Sequence, residues 1–137
     1  MRVVAAYIAA AAIFALIDTC WISLLGPRIY KPIIGEILAD RVGIAPAVAF
    51  YILYIGGIVA LAVSPALKAG GCRQAAFSGA VLGLVAYGTY DLTNQATLKV
   101  WATRITLLDM SYGAVATALA ATVGYLAASW AARPLAR

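Results

Sequence analysis

VVAAYIAAAAIFALIDTCWISLL, residues Val3 to Leu25, decides the fold. Apart from Asp18 and a few small polar side chains it is wholly apolar, and some 20 residues at 1.5 Å per residue cross the ~30 Å hydrocarbon core of a bilayer. A secretory signal is the competing reading. The run is longer than the roughly 7–15 residues of a signal core, however, and no small-x-small cleavage site follows it, so a retained first span is expected.

Three more runs repeat the pattern: about 44–67, begun by Pro46 and closed by Ser64-Pro65, then about 75–98 and about 105–130. Gly70-Gly71 and Lys99 to Arg104 are short links, so successive helices should be antiparallel neighbours. The expectation is a single transmembrane domain over residues 1–137, an all-α integral membrane protein built as an antiparallel four-helix bundle. The longest link, Gly26 to Gly43, carries Pro32 followed by Ile33, Ile34, Ile37 and Leu38 at helical spacing. It predicts a short helix lying in the interface between spans 1 and 2.

Composition agrees. Hydrophobic residues make up 65% and charged residues 11%, against roughly 45–50% and 25% in soluble domains. A small soluble domain cannot hide that much apolar surface. Ten Lys and Arg against five acids leave a net charge of +5, but the cations flank apolar runs singly and form no basic, aromatic-laced track for nucleic acid. With no His there is no haem histidine and no imidazole ligand. No metal site is expected, and no nucleotide-binding glycine motif is present, so the cofactor is left open. Cys20 and Cys72 lie toward opposite membrane faces and are expected to stay unpaired.

The cations divide evenly. Arg2, Lys68, Arg73, Arg133 and Arg137 fall on the side of the termini, with Arg28, Lys31, Arg41, Lys99 and Arg104 opposite. The first set hugs the helix ends without acids among it, which tilts the reading toward both termini in the cytoplasm of a bacterial inner-membrane protein. Small residues at helical spacing, Gly79 and Gly83 on the third run and Ala114, Ala118 and Ala121 on the fourth, read as packing faces within the bundle or along a homodimer seam.

Three acids fall inside spans: Asp18, Asp91 and Asp109. Each costs roughly 2.5–3.5 kcal/mol near the bilayer centre, so each is a candidate for function. All three lie toward the membrane face opposite the termini. So do Trp21, Tyr51, Tyr54, Tyr87, Tyr90, Asn94 and Tyr112, whereas Tyr7, Tyr125 and Trp130 read as an aromatic belt at the other end. The expectation is one acidic, tyrosine-rich cavity with the three aspartates converging on it. Arg104 and Lys99 are the candidate counter-charges.

The stretch from Ala86 to Lys99, containing Tyr90-Asp91-Leu92-Thr93-Asn94, then Trp101 and Thr106-Leu107-Leu108-Asp109, resembles the signature of a bacterial membrane family catalogued as domain of unknown function 2177. Asp18-x-x-Trp21 and Phe50-Tyr51-x-Leu53-Tyr54 match it as well. Ala102 stands where the pattern expects proline, and Tyr112 where it expects tryptophan. The resemblance implies four spans and no established activity. Members are associated with lipid-modifying enzymes, which would make such enzymes partners beside the membrane lipids. Three functions stay open: binding or transport of a proton, a cation or an amphipathic lipid-like molecule; a membrane-embedded enzyme acting on lipid through paired carboxylates or a divalent metal; and an accessory subunit.

Overall fold

The computed structural model of the chain describes residues 1–132. Helix α1 (Arg2–Leu25) runs into a π-turn at Gly26–Tyr30, a single turn α2 (Lys31–Ile34) and a 3-10 turn at Gly35–Ile37. Helix α3 (Ile44–Ile58) continues through π-turns at Val59–Val63 and Ala66–Gly70, and α4 (Gly71–Thr97) and α5 (Thr103–Trp130) complete an all-α membrane bundle with no strand among the described residues. Arg133 and Arg137, two of the cations placed on the side of the termini, lie outside the described residues. Three helical lengths, Arg2–Ile37, Ile44–Lys68 and Thr103–Trp130, are long and apolar enough to cross a membrane. Helix α4 has 27 residues, about 40 Å, and so has the length. Its Arg73, Gln74, Asp91, Asn94 and Gln95 make it the most polar of the four.

Two expectations are corrected. Ser64-Pro65 does not close the second helix, which stays helical to Gly70. Proline offers no N–H, and its ring crowds the carbonyl one turn back. Widened turns on either side of Pro65 relieve that crowding without ending the helix. The chain reverses instead at Gly71, whose φ of 74° belongs to the left-handed region glycine enters freely. Second, the segment between spans 1 and 2 is helical from Gly26 rather than from Pro32, and α2 is only one turn. Of its predicted apolar face, Ile34 is buried while Ile37 and Leu38 are exposed. Pro46 sits in the first turn of α3, where a missing donor leaves no bond unmade.

Helices α4 and α5 share the most extensive interface, antiparallel throughout. Its register runs from Gly79 against Ala121, through Gly83 against Gly113 and Thr117, to Gln95 against Thr103 and Thr106. A Cβ on Gly83 would come within 2.0 Å of the Gly113 carbonyl oxygen, and one on Gly79 within 2.8 Å of the Thr117 carbonyl oxygen. Lipid tails are as apolar as side chains, so helices associate through close packing, and small residues let the two backbones meet. Helix α1 lies on the other face of α5. There Ala6 and Ala10 are fully buried and a Cβ on Gly124 would stand 3.1 Å from the Ala6 carbonyl oxygen. Phe14, Ile55, Ile58, Val63, Ala116 and Ala120 fill the centre between α1, α3 and α5. Cys20 and Cys72 are free thiols.

Gly83→Val should therefore lower stability by about 3 kcal/mol or more, the upper range for overpacking against an interior that cannot move aside. Gly56→Val, where an added Cβ meets nothing within 4 Å, should stay within about 0.5 kcal/mol of wild type. Thermal unfolding of the two variants in one detergent compares them. Equal losses would contradict the α4–α5 register.

Candidate functional site

Asp18 is the node from which the site is built. It lies on the face of α1 that carries Phe14 one turn earlier and Trp21 one turn later. It is 8% exposed. Its Oδ1 accepts a hydrogen bond from the Tyr112 hydroxyl at 2.9 Å, and its Oδ2 accepts one from the Tyr51 hydroxyl. One carboxylate thus holds together α1, α3 and α5.

Trp21 continues the site outward. Its ring stacks on Tyr112, with centroids 4.2 Å apart and planes 18° from parallel. Its indole N–H donates to the Tyr30 hydroxyl at 2.9 Å, and that hydroxyl donates to Asp109 on α5. Nine residues of a regular α-helix would put Trp21 and Tyr30 on opposite faces. The π-turn at Gly26–Tyr30 changes the phase so that Tyr30 comes back over the bundle. Pro27, without an N–H, favours that break in the ladder.

Helix α4 brings the remaining rings. Tyr87 packs edge-on against Tyr112 at 5.7 Å and against Tyr54 at 6.4 Å. It fits because Gly113 has no side chain there: a Cβ would stand 2.3 Å from the Tyr87 ring. The Tyr54 hydroxyl shares a 2.8 Å hydrogen bond with that of Thr117. Tyr90 meets Trp101 edge-on at 5.7 Å. Trp101 donates to the Thr106 hydroxyl at 2.9 Å, which donates to Gln95 at 2.7 Å, so the short link between α4 and α5 is tied down from both ends.

Between these groups lies a cavity of about 690 Å³ at the end of the bundle away from the amino terminus. Asp18, Asp109, Trp21 and Tyr112 line its inner part, with Tyr87, Tyr90 and Trp101 beside them. Ile22, Ile34, Leu38 and Val42 supply apolar wall, and Lys31 and Arg41 stand at its edge, both exposed. A smaller space of about 410 Å³ beside Phe50 and Tyr54 shares Tyr87 and Tyr90 with it.

The candidates read from the sequence divide accordingly. Asp18, Trp21, Tyr87, Tyr90, Asp109 and Tyr112 line the large cavity; Tyr51 backs it through Asp18, and Tyr54 lines the smaller one. Asp91 does not line either. It is 0% exposed, packed inside the bundle, and neither carboxyl oxygen has a hydrogen-bond partner. Asn94, one turn on, is half-buried and also lines neither space. Arg104 and Lys99 are exposed, and phenols instead of cations hold Asp18 and Asp109. Among the described residues no three His, Cys, Asp or Glu side chains gather as metal ligands. Tyr30, Lys31 and Arg41 were not singled out as site residues by sequence. The one available signal was an aromatic three residues after a proline, in a link next to Trp21.

Asp18 and Asp91, both buried, should respond oppositely to substitution. Asp18→Leu strands two phenolic hydroxyls and should cost about 2–5 kcal/mol, each lost buried partner being worth about 1–3 kcal/mol. Asp91→Asn removes no hydrogen bond, and its melting temperature in detergent should equal or exceed that of wild type. A large fall for Asp91→Asn would show a partner that the structure does not contain.

A family model described as predicted membrane protein (DUF2177) matches residues 3–126. No curated protein matches the chain. No solved structure does either. With nearly its whole length matched, the chain belongs to the DUF2177 family of predicted membrane proteins.

Proposed function

We propose that this protein binds an amphipathic, lipid-like small molecule in the large cavity. The observation that carries the reading is the cavity itself, about 690 Å³, inside the range of roughly 300–1,000 Å³ typical of small-molecule sites. Its composition is also that of such sites: mostly apolar and aromatic wall, with a few polar groups fixed in place. Those polar groups are preorganised, since each lining carboxylate is already held by tyrosine. In this reading all four long helices cross the bilayer of a bacterial inner membrane, α4 carried through by its lengthwise packing on α5. Both termini face the cytoplasm, and the cavity opens toward the opposite face. The site residues are Asp18, Trp21, Tyr30, Tyr87, Tyr90, Asp109 and Tyr112.

Native mass spectrometry of the protein released from detergent tests this. Wild type should carry a small-molecule adduct, and Trp21→Ala, which removes a ring from the wall, should lose most of it. Wild type free of adduct after gentle extraction, and also after incubation with total lipid extract, would contradict the reading.

A further inference from the structure

The inner end of the large cavity differs chemically from its walls. Two carboxylates sit there, Asp18 at 8% and Asp109 at 7% exposed, and both line the space. Their hydrogen-bond partners are the phenols of Tyr51, Tyr112 and Tyr30, neutral groups that orient a carboxylate without cancelling its charge. Rings stand beside them: Trp21 stacked on Tyr112, with Tyr87 edge-on to Tyr112. The faces of Trp and Tyr attract cations, most strongly where water is excluded.

We propose that the occupant is a lipophilic organic cation, an amine or quaternary ammonium amphipath whose charged end sits between Asp18 and Asp109 against these rings. The proposal rests on the cavity being a ligand site and adds the sign of the ligand's charge. A small hard cation would need several oxygens closing around it; here ring carbon occupies much of that surface. The apolar wall of Ile22, Ile34, Leu38 and Val42 takes the body of the ligand. Lys31 and Arg41, the two cations that also line the cavity, are exposed at its mouth, where water and salt screen their repulsion within about 8 Å.

Three probes separate charge from shape: tetraphenylphosphonium and tetraphenylborate, of nearly equal size and opposite charge, and the smaller, neutral triphenylphosphine oxide. Binding to wild type in nanodiscs of zwitterionic lipid is followed by calorimetry and by tryptophan fluorescence, since Trp21 and Trp101 line the cavity. Tetraphenylphosphonium should bind saturably and at least tenfold more tightly than either other probe. Asp109→Asn, which keeps an acceptor for the Tyr30 hydroxyl, should weaken it at least tenfold while melting within a few degrees of wild type, and Asp18→Asn, whose amide keeps one acceptor for two phenols, should weaken it as much and melt lower. The wild-type comparison stands even if a variant fails to fold. Equal binding of all three probes, tighter binding of the borate, or phosphonium binding unchanged in both folded variants would overturn the cation assignment and leave the amphipath site standing. Saturable binding of none of the three would overturn both.

Discussion

A carboxylate taken into a helical bundle is costly unless protein satisfies it, because lipid offers it nothing. Asp18 meets that constraint with two phenolic hydroxyls, one from α3 and one from α5. The requirement fixes more than the two bonds. With Asp18 and Tyr112 joined, Trp21 lies one helical turn further along α1, level with the Tyr112 ring, and the two stack. Trp21 then positions Tyr30, and Tyr30 reaches Asp109. A relay of polar contacts beginning at one buried acid thus builds the inner surface of the cavity and folds the first link back over it.

The two ends of the bundle solve different problems. Toward the amino terminus, Ala6, Ala10, Gly79, Gly83, Ala121 and Gly124 let α1 and α4 each pack closely on α5. Toward the other end, Trp21, Tyr87, Tyr90 and Tyr112 take the place of small side chains. Rings cannot interdigitate as closely as Ala and Gly, so space is left among them and a cavity results. Close packing at one end supplies the rigidity that preorganises the open end.

Depth in the membrane was legible from sequence because rise along a helix is regular. Asp18, Asp109, Trp21 and Tyr112 were placed at one level by counting residues, and they meet. Rotation was not legible, because each residue turns 100° and the π-turns at Gly26–Tyr30, Val59–Val63 and Ala66–Gly70 shift the phase. Asp91 has the right depth and yet lines neither cavity. Arg104 was read as a counter-charge, yet it stands five residues before Asp109 on α5, an interval that points the two to different sides; the facing intervals are three and four. Tyr30 meets Asp109 across the fold, and no local pattern announces such a contact. Pro65 was read as a stop because the sequence does not show that the turns around it widen.

The central claim is that Asp18 acts as a shared acceptor for two helices, which makes its tyrosine partners interdependent through it. A mutant cycle on thermal stability in one detergent measures this most directly, with Tyr51→Phe and Tyr112→Phe made in wild type and in an Asp18→Leu background. In wild type each phenylalanine should cost about 1–3 kcal/mol, as a hydrogen bond to a charged group is lost. With Leu at position 18 the same changes should become neutral or stabilising, because they remove hydroxyls that no longer have an acceptor. Equal losses in both backgrounds would show that the tyrosines stabilise the bundle independently of Asp18, and would contradict the account.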